Sequence, residues 1–141
     1  MSIHATAIID PRAEVDSSVQ IEPYVVVKGP VRIGANTRIG SHAVLSGRTT
    51  IGRDNLIGSF SSIGMPPQDL HYKGEPTEVI IGNGNQIREY VSIHRGTATG
   101  KGRTRIGNHC MIMSYCHIAH DCELGDHVIM ANLATLAGHV E

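Results

Sequence analysis

From residue 3 onward an aliphatic side chain falls on every sixth position: Ile3, Ile9, Val15, Ile21, Val27, Ile33, Ile39, Leu45, Ile51, Ile57 and Ile63. The phase returns at Ile81, Ile87 and Ile93, and then, one residue out of step, at Ile106, Ile112, Ile118, Leu124, Met130 and Leu136. Four residues after the aliphatic there is usually a small or β-branched residue, such as Ala7, Ala13, Val19, Val25, Val31, Thr37, Ala43 and Thr49. An interval of six is a multiple of the strand repeat of two and does not fit the helical repeat, so both sets point to one side of an extended chain. A parallel β-helix buries such a pattern: each hexad forms one flat face, and three hexads close one triangular coil. The hexads of this chain predict about seven coils. Glycine directly follows many of the aliphatics, as at Gly34, Gly40, Gly52, Gly58 and Gly82, and is expected to help turn the corners.

Two stretches break the count. Residues 64–80 put Asp69 and Glu75 where aliphatics are due and carry three prolines, which predicts an extended loop thrown out from the prism. Residues 94–105 predict a second, smaller excursion. Insertions in solenoids often belong to the binding site. The last hexad is still in phase at Glu141, and a solenoid needs caps over its unpaired edges. The expectation is therefore a single β-helix domain over 1–141 that forms the N-terminal part of a longer protein.

Composition narrows the class. Sixteen glycines, 4% aromatics and no tryptophan argue against a helical bundle. Twelve Lys and Arg against thirteen Asp and Glu leave a net charge of −1, so no nucleic-acid or anionic-membrane surface is indicated. Apolar residues come singly or in short clusters, which predicts no membrane insertion, and the first residues lack the basic segment and apolar run of a signal peptide. A cytoplasmic protein is the expectation. Cys110, Cys116 and Cys122 fall on the small inward positions of successive hexads, hence on different faces. They are expected to fill a narrow core, with no metal cluster and no disulfide.

Histidines concentrate toward the end: His109, His117, His120, His127 and His139. One coil is eighteen residues, so His120 should lie beneath Gly138, Asp121 beneath His139 and His117 beneath Thr135, all at the prism surface. An imidazole can take a proton from a hydroxyl. A glycine N–H, unshielded by a Cβ, can stabilise developing negative charge. Solvated surface histidines are the plainer alternative.

The hexads resemble those of the bacterial hexapeptide-repeat transferases, whose β-helix is left-handed. Four segments resemble more specifically the acyl-carrier-protein-dependent UDP-N-acetylglucosamine O-acyltransferases of lipid A biosynthesis: QDLHYKGEPTEV (68–79), IREYVSIHRGT (87–97), CHIAHDC (116–122) and ANLATLAGHV (131–140). The resemblance implies an all-β, left-handed parallel β-helix. It also implies transfer of a 3-hydroxyacyl group from acyl carrier protein to the 3-hydroxyl of UDP-N-acetylglucosamine. His120 then matches the general base, Asp121 the residue that orients it, and Gly138 the oxyanion donor. His117 and His139 match substrate contacts, and Asp69 matches an aspartate that holds sugar hydroxyls. His71 stands where a lysine is usual for a phosphate or pantetheine contact. No cofactor and no metal are implied, and the assembly implied is a homotrimer with sites between adjacent prisms. The family's further coils and C-terminal helical domain, which supply nucleotide and acyl-chain contacts, are absent from these residues, so weak activity or none is expected of the chain alone.

Three other readings compete. The paralogous N-acyltransferases of the same pathway carry an additional domain before their hexads, whereas here the hexads begin at Ile3. A zinc enzyme of the trimeric β-helix carbonic anhydrase type would use histidines, but His117 and His120 lie an odd number apart on an extended chain and should face opposite sides. A noncatalytic β-helix scaffold would want an outer ladder of like residues at eighteen-residue intervals, which the threonines do not form. The run Lys101, Arg103, Arg105 is either a solvated loop or a dock for an acidic carrier protein.

Overall fold

The computed structural model describes residues 2–141. Twenty short strands and no helix are found among them, so no helix of the described residues is long and apolar enough to cross a membrane. The strands stack into three parallel sheets of seven, seven and six, each strand pairing with the third one along the chain. These are the three faces of a left-handed parallel β-helix. The first face runs from Ser2–Ile3 to Ile129–Met130, the second from Ile8–Ile9 to Thr135–Leu136, and the third from Glu14–Val15 to Glu123–Leu124.

Inward residues follow the period of six. Ile39, Leu45, Ile57, Ile63, Ile87, Ile93, Ile112 and Ile118 have no exposed surface. The four-residue offset is also inward, with Val19, Val25, Val31 and Ala43 fully covered. The cysteines behave as predicted: all three are buried and free, and each thiol lies against a main-chain carbonyl, Cys122 Sγ at 3.1 Å from Ala137 O. Burial raises the pKa of each thiol.

The corners differ from the expectation. Most of the glycines that follow an aliphatic do not make the turn. At Gly34 a Cβ would lie 2.7 Å from the carbonyl of Gly52 on the next coil, so the residue is small because two backbones meet there. The turn itself falls three residues after the aliphatic, on non-glycine residues with positive φ, among them Tyr24, Phe60, Tyr90, Asp121 and His139. One corner thereby carries an outward stack of rings, Tyr24, His42, Phe60, Tyr90 and Tyr115, with successive centroids 4.7–5.2 Å apart.

The loops are narrower than predicted. Strand Ser62–Met65 carries pairing two residues past Ile63, and strand Glu78–Ile81 pairs with Arg48–Ile51 along its length, which leaves 66–77 as the loop. The second excursion is 95–102, because strand Arg103–Ile106 pairs with Glu78–Ile81. Ile51 and Ile81 are partners thirty residues apart rather than eighteen, and Ile81 and Ile106 twenty-five. Both loops leave the same corner, between the second and third faces, on successive coils.

Candidate active site

The corner that throws out both loops also carries His120, Asp121, Gly138 and His139. His117 lies on the second face in strand His117–Ile118 and pairs with Thr135 on the last strand of that face, as the count of eighteen requires. The chain then turns through Asp121, whose φ is 63°. Asp and Asn tolerate that left-handed conformation better than most residues.

Asp121 is the best-anchored side chain of the corner. It was expected at the surface, yet it has no exposed surface at all, because loop 95–102 folds over it. Its carboxylate accepts from the Thr97 amide (3.0 Å), the Thr97 hydroxyl (2.6 Å), the Lys101 amide (3.0 Å) and His120 Nδ1 (2.8 Å). The Thr104 hydroxyl accepts in turn from the Asp121 amide at 3.0 Å. Burial works against the charged carboxylate, but the Thr97 hydroxyl and amide and the His120 ring outweigh it and hold its pKa below the usual range.

An ionised carboxylate only accepts, so the proton of His120 sits on Nδ1 and Nε2 keeps its lone pair. Gly138 lies against that ring: a Cβ on Gly138 would fall 2.5 Å from His120 Cε1 and 2.7 Å from Nε2. The Gly138 amide donates to no group among the described residues. A free proton acceptor and a free amide thus share one end of the corner, which suits proton abstraction with stabilisation of an oxyanion. Because φ at Gly138 is ordinary, Gly138→Ala is expected to fold normally while displacing the His120 ring. Turnover should fall about a hundredfold with little change in melting temperature, the scale of misplacing a positioned catalytic group by about an ångström. Parallel calorimetry and rate measurements check this.

His139 stands edge-on to His120, ring centroids 5.1 Å apart, with Nε2 3.9 Å from Asp121 Oδ2. These three residues form the one group with metal-ligand spacing among the described residues. Both oxygens of Asp121 are already taken by Thr97, Lys101 and His120, so an ion would have to break that network to bind. This weighs against the zinc alternative more strongly than the spacing of His117 and His120 did.

Asp69 sits on loop 66–77, where its carboxylate accepts from the His71 amide at 2.8 Å. That bond lowers its pKa, and the charge of His120 contributes, so loop and base lie within electrostatic reach. His71 contacts Asp69 at 3.3 Å but is otherwise solvated, its side chain 87% exposed. Arg95 pins the loop: Nε donates to the Tyr72 hydroxyl at 3.0 Å, Nη1 donates to Gly64 O at 2.9 Å, and the Tyr72 hydroxyl donates to Glu75 O at 2.6 Å. In the basic run, Lys101 pairs with Glu123 and Glu141, and Arg103 pairs with Glu123. Two of its three charges are spent inside the chain, which favours the solvated-loop alternative.

Sequence reasoning missed Ser92, His94, Arg95 and Thr97. His94 Nδ1 is buried without a partner, and its ring stands edge-on to His117 with centroids 4.7 Å apart. Burial, with the nearby charges of His117 and His120, lowers its pKa to about 4. The unfolded chain, at the ordinary value of about 6.5, therefore binds the proton first, and stability falls as pH drops from about 6.5 to about 4. The expected loss between pH 7 and pH 4 is roughly 3 kcal/mol. Urea unfolding at both pH values should show that part of the slope removed in His94→Gln.

Residues 12–47 and 103–138 match the family model for the bacterial transferase hexapeptide (six repeats). The chain is 57% identical to the acyl-[acyl-carrier-protein]–UDP-N-acetylglucosamine O-acyltransferase of Thermodesulfovibrio yellowstonii, over 99% of this chain and 54% of that protein. It is 59% identical to the protein of the same name from Herminiimonas arsenicoxydans, over 98% and 53%. Among solved structures, LpxA from Acinetobacter baumannii superposes with a TM-score of 0.95 at 54% identity, over 97% of this chain and 53% of that one. The chain thus spans about half the length of the curated relatives it matches. With the hexads, the prism and the matched repeats in agreement, the chain belongs to the bacterial hexapeptide transferase family.

Proposed function

We propose that this chain carries the reacting groups of an acyl-carrier-protein-dependent UDP-N-acetylglucosamine O-acyltransferase. The observation that carries the reading is the His120 arrangement, an imidazole with its proton fixed on Nδ1 by Asp121 and its ring packed against Gly138, whose amide makes no hydrogen bond among the described residues. His120 takes the proton of the sugar 3-hydroxyl as that oxygen attacks the thioester carbonyl. The C–S bond then breaks, and the carrier thiolate leaves and is protonated. Asp121 holds the imidazolium that forms, and the Gly138 N–H faces the tetrahedral oxyanion. Asp69 receives sugar hydroxyls, His117 and His139 border the acceptor, and His71 lies nearer the solvated phosphate or pantetheine end.

The relatives' names, at 54–59% identity, support the substrate pair. A homotrimer fits the exposed rings of Tyr24, Phe60, Tyr90 and Tyr115, which offer a second copy a flat apolar edge. The test is a donor comparison with UDP-N-acetylglucosamine as acceptor. Slow turnover is expected with a 3-hydroxyacyl-carrier protein and none with acetyl-coenzyme A, and the reverse preference would assign an acetyltransferase instead.

A further inference from the structure

Two histidines three residues apart stand at this corner, and their surroundings set them in opposite states. His120 faces a carboxylate, which forces its proton onto Nδ1 and leaves Nε2 as an acceptor. His117 faces a hydroxyl. Ser92 is its register partner on the preceding coil, and Ser92 Oγ lies 2.6 Å from His117 Nδ1. The hydroxyl makes no other hydrogen bond to the described residues, so the pairing is complete when Ser92 donates and Nδ1 accepts. The single proton of a neutral His117 then sits on Nε2. Burial lowers the pKa of His117, which keeps it neutral near pH 7. His94 lies two residues after Ser92 on the strand Ser92–His94, hence on the same outward side, and sets its ring at 79° to that of His117. With Nδ1 buried and unpartnered, His94 is less costly with a bare lone pair there than with an orphaned N–H. It packs against His117 without competing for Nδ1.

We propose that Ser92 and His94 are positioning residues that fix His117 as an Nε2–H donor on the strand that leads into the His120 corner. The pair then offers an oxygen-bearing acceptor one donor and one base at neighbouring points. The donor suits a hydroxyl or amide carbonyl oxygen on the sugar, an assignment of ligand that rests on the acyl-transfer reading above.

Long-range ¹H–¹⁵N correlation spectra of the labelled chain read the tautomers directly, whatever the enzyme turns over. Wild type is expected to show His117 protonated on Nε2 and His120 on Nδ1. Ser92→Ala should return His117 to a mixture, and Ser92→Thr should restore the single form. A wild-type His117 protonated on Nδ1, or a spectrum unchanged by Ser92→Ala, overturns the proposal. In the transfer assay Ser92→Ala should raise KM for UDP-N-acetylglucosamine about tenfold, the scale of one misdirected hydrogen bond, with kcat within twofold and Ser92→Thr near wild type. His94→Phe should raise KM less. A fall in kcat at constant KM contradicts a positioning role. Without turnover in wild type, the spectra alone decide this proposal, and an acyl group transferred to nitrogen rather than oxygen would sink the acyl-transfer reading while leaving the tautomers as read.

Discussion

Asp121→Ala is expected to cost about 2–4 kcal/mol of stability, the scale of leaving buried donors without an acceptor. For a domain of this size that is a drop in melting temperature of roughly 10 °C. The reason is local: the Thr97 amide, the Thr97 hydroxyl and the Lys101 amide all end on this carboxylate, which has no exposed surface. Loop 95–102 should loosen with it, and hydrogen exchange at Thr97 and Lys101 should accelerate. The depressed pKa sets the sign of the pH dependence. The stabilisation from Asp121 is present above the ordinary carboxylate value near 3.9 and is lost as pH falls through the lower folded-state value. Asp121→Asn separates the two tasks of the residue. It keeps the shape and one acceptor oxygen, so much of the stability should remain, but it no longer holds the His120 tautomer with a charge. Its turnover should approach that of a chain without the base, as when a carboxylate–histidine pair loses its anion.

His120→Ala is expected to reduce turnover by about 10²–10⁴-fold, the range for removing a positioned general base. The fold should hold, because the ring lies at the corner beside Gly138 and outside the stacked core. Removing it leaves Asp121 with its other donors, so the change in stability should stay within about 1 kcal/mol, the value of a single hydrogen bond. Steady-state rates with urea unfolding on the same preparations check both parts. A variant that unfolds, or one that keeps its rate, would each remove His120 from the role given to it.

The period of six made the prism legible because every inward position of a solenoid repeats the same steric demand. Ile57 and Ile112 meet the same surroundings two coils apart on one face. The turning positions were harder, since a left-handed backbone at Tyr90 or His127 leaves no mark on residue type. The glycines that drew attention instead answer to close approach between coils. Within the site, the count of eighteen placed His117, His120, Asp121, Gly138 and His139, because no insertion separates residues 117 and 139. It failed across loop 95–102, whose seven extra residues hide the pairing of Ser92 with His117. The aligned phases of Ile93 and Ile118 held that signal. The Thr97 and Lys101 amides that bury Asp121 had none, because a backbone donor belongs to every residue but proline.

The central claim is acyl transfer to a hydroxyl at the His120 corner, and the position of the ester in the product tests it most directly. The chain at high concentration is incubated with UDP-N-acetylglucosamine and a 3-hydroxyacyl-carrier protein, and the sugar product is analysed by mass spectrometry and NMR. One acyl group on O3, formed by wild type and lost in His120→Ala, is the predicted result. A product acylated on nitrogen, or an O3 ester formed equally by His120→Ala, would contradict it.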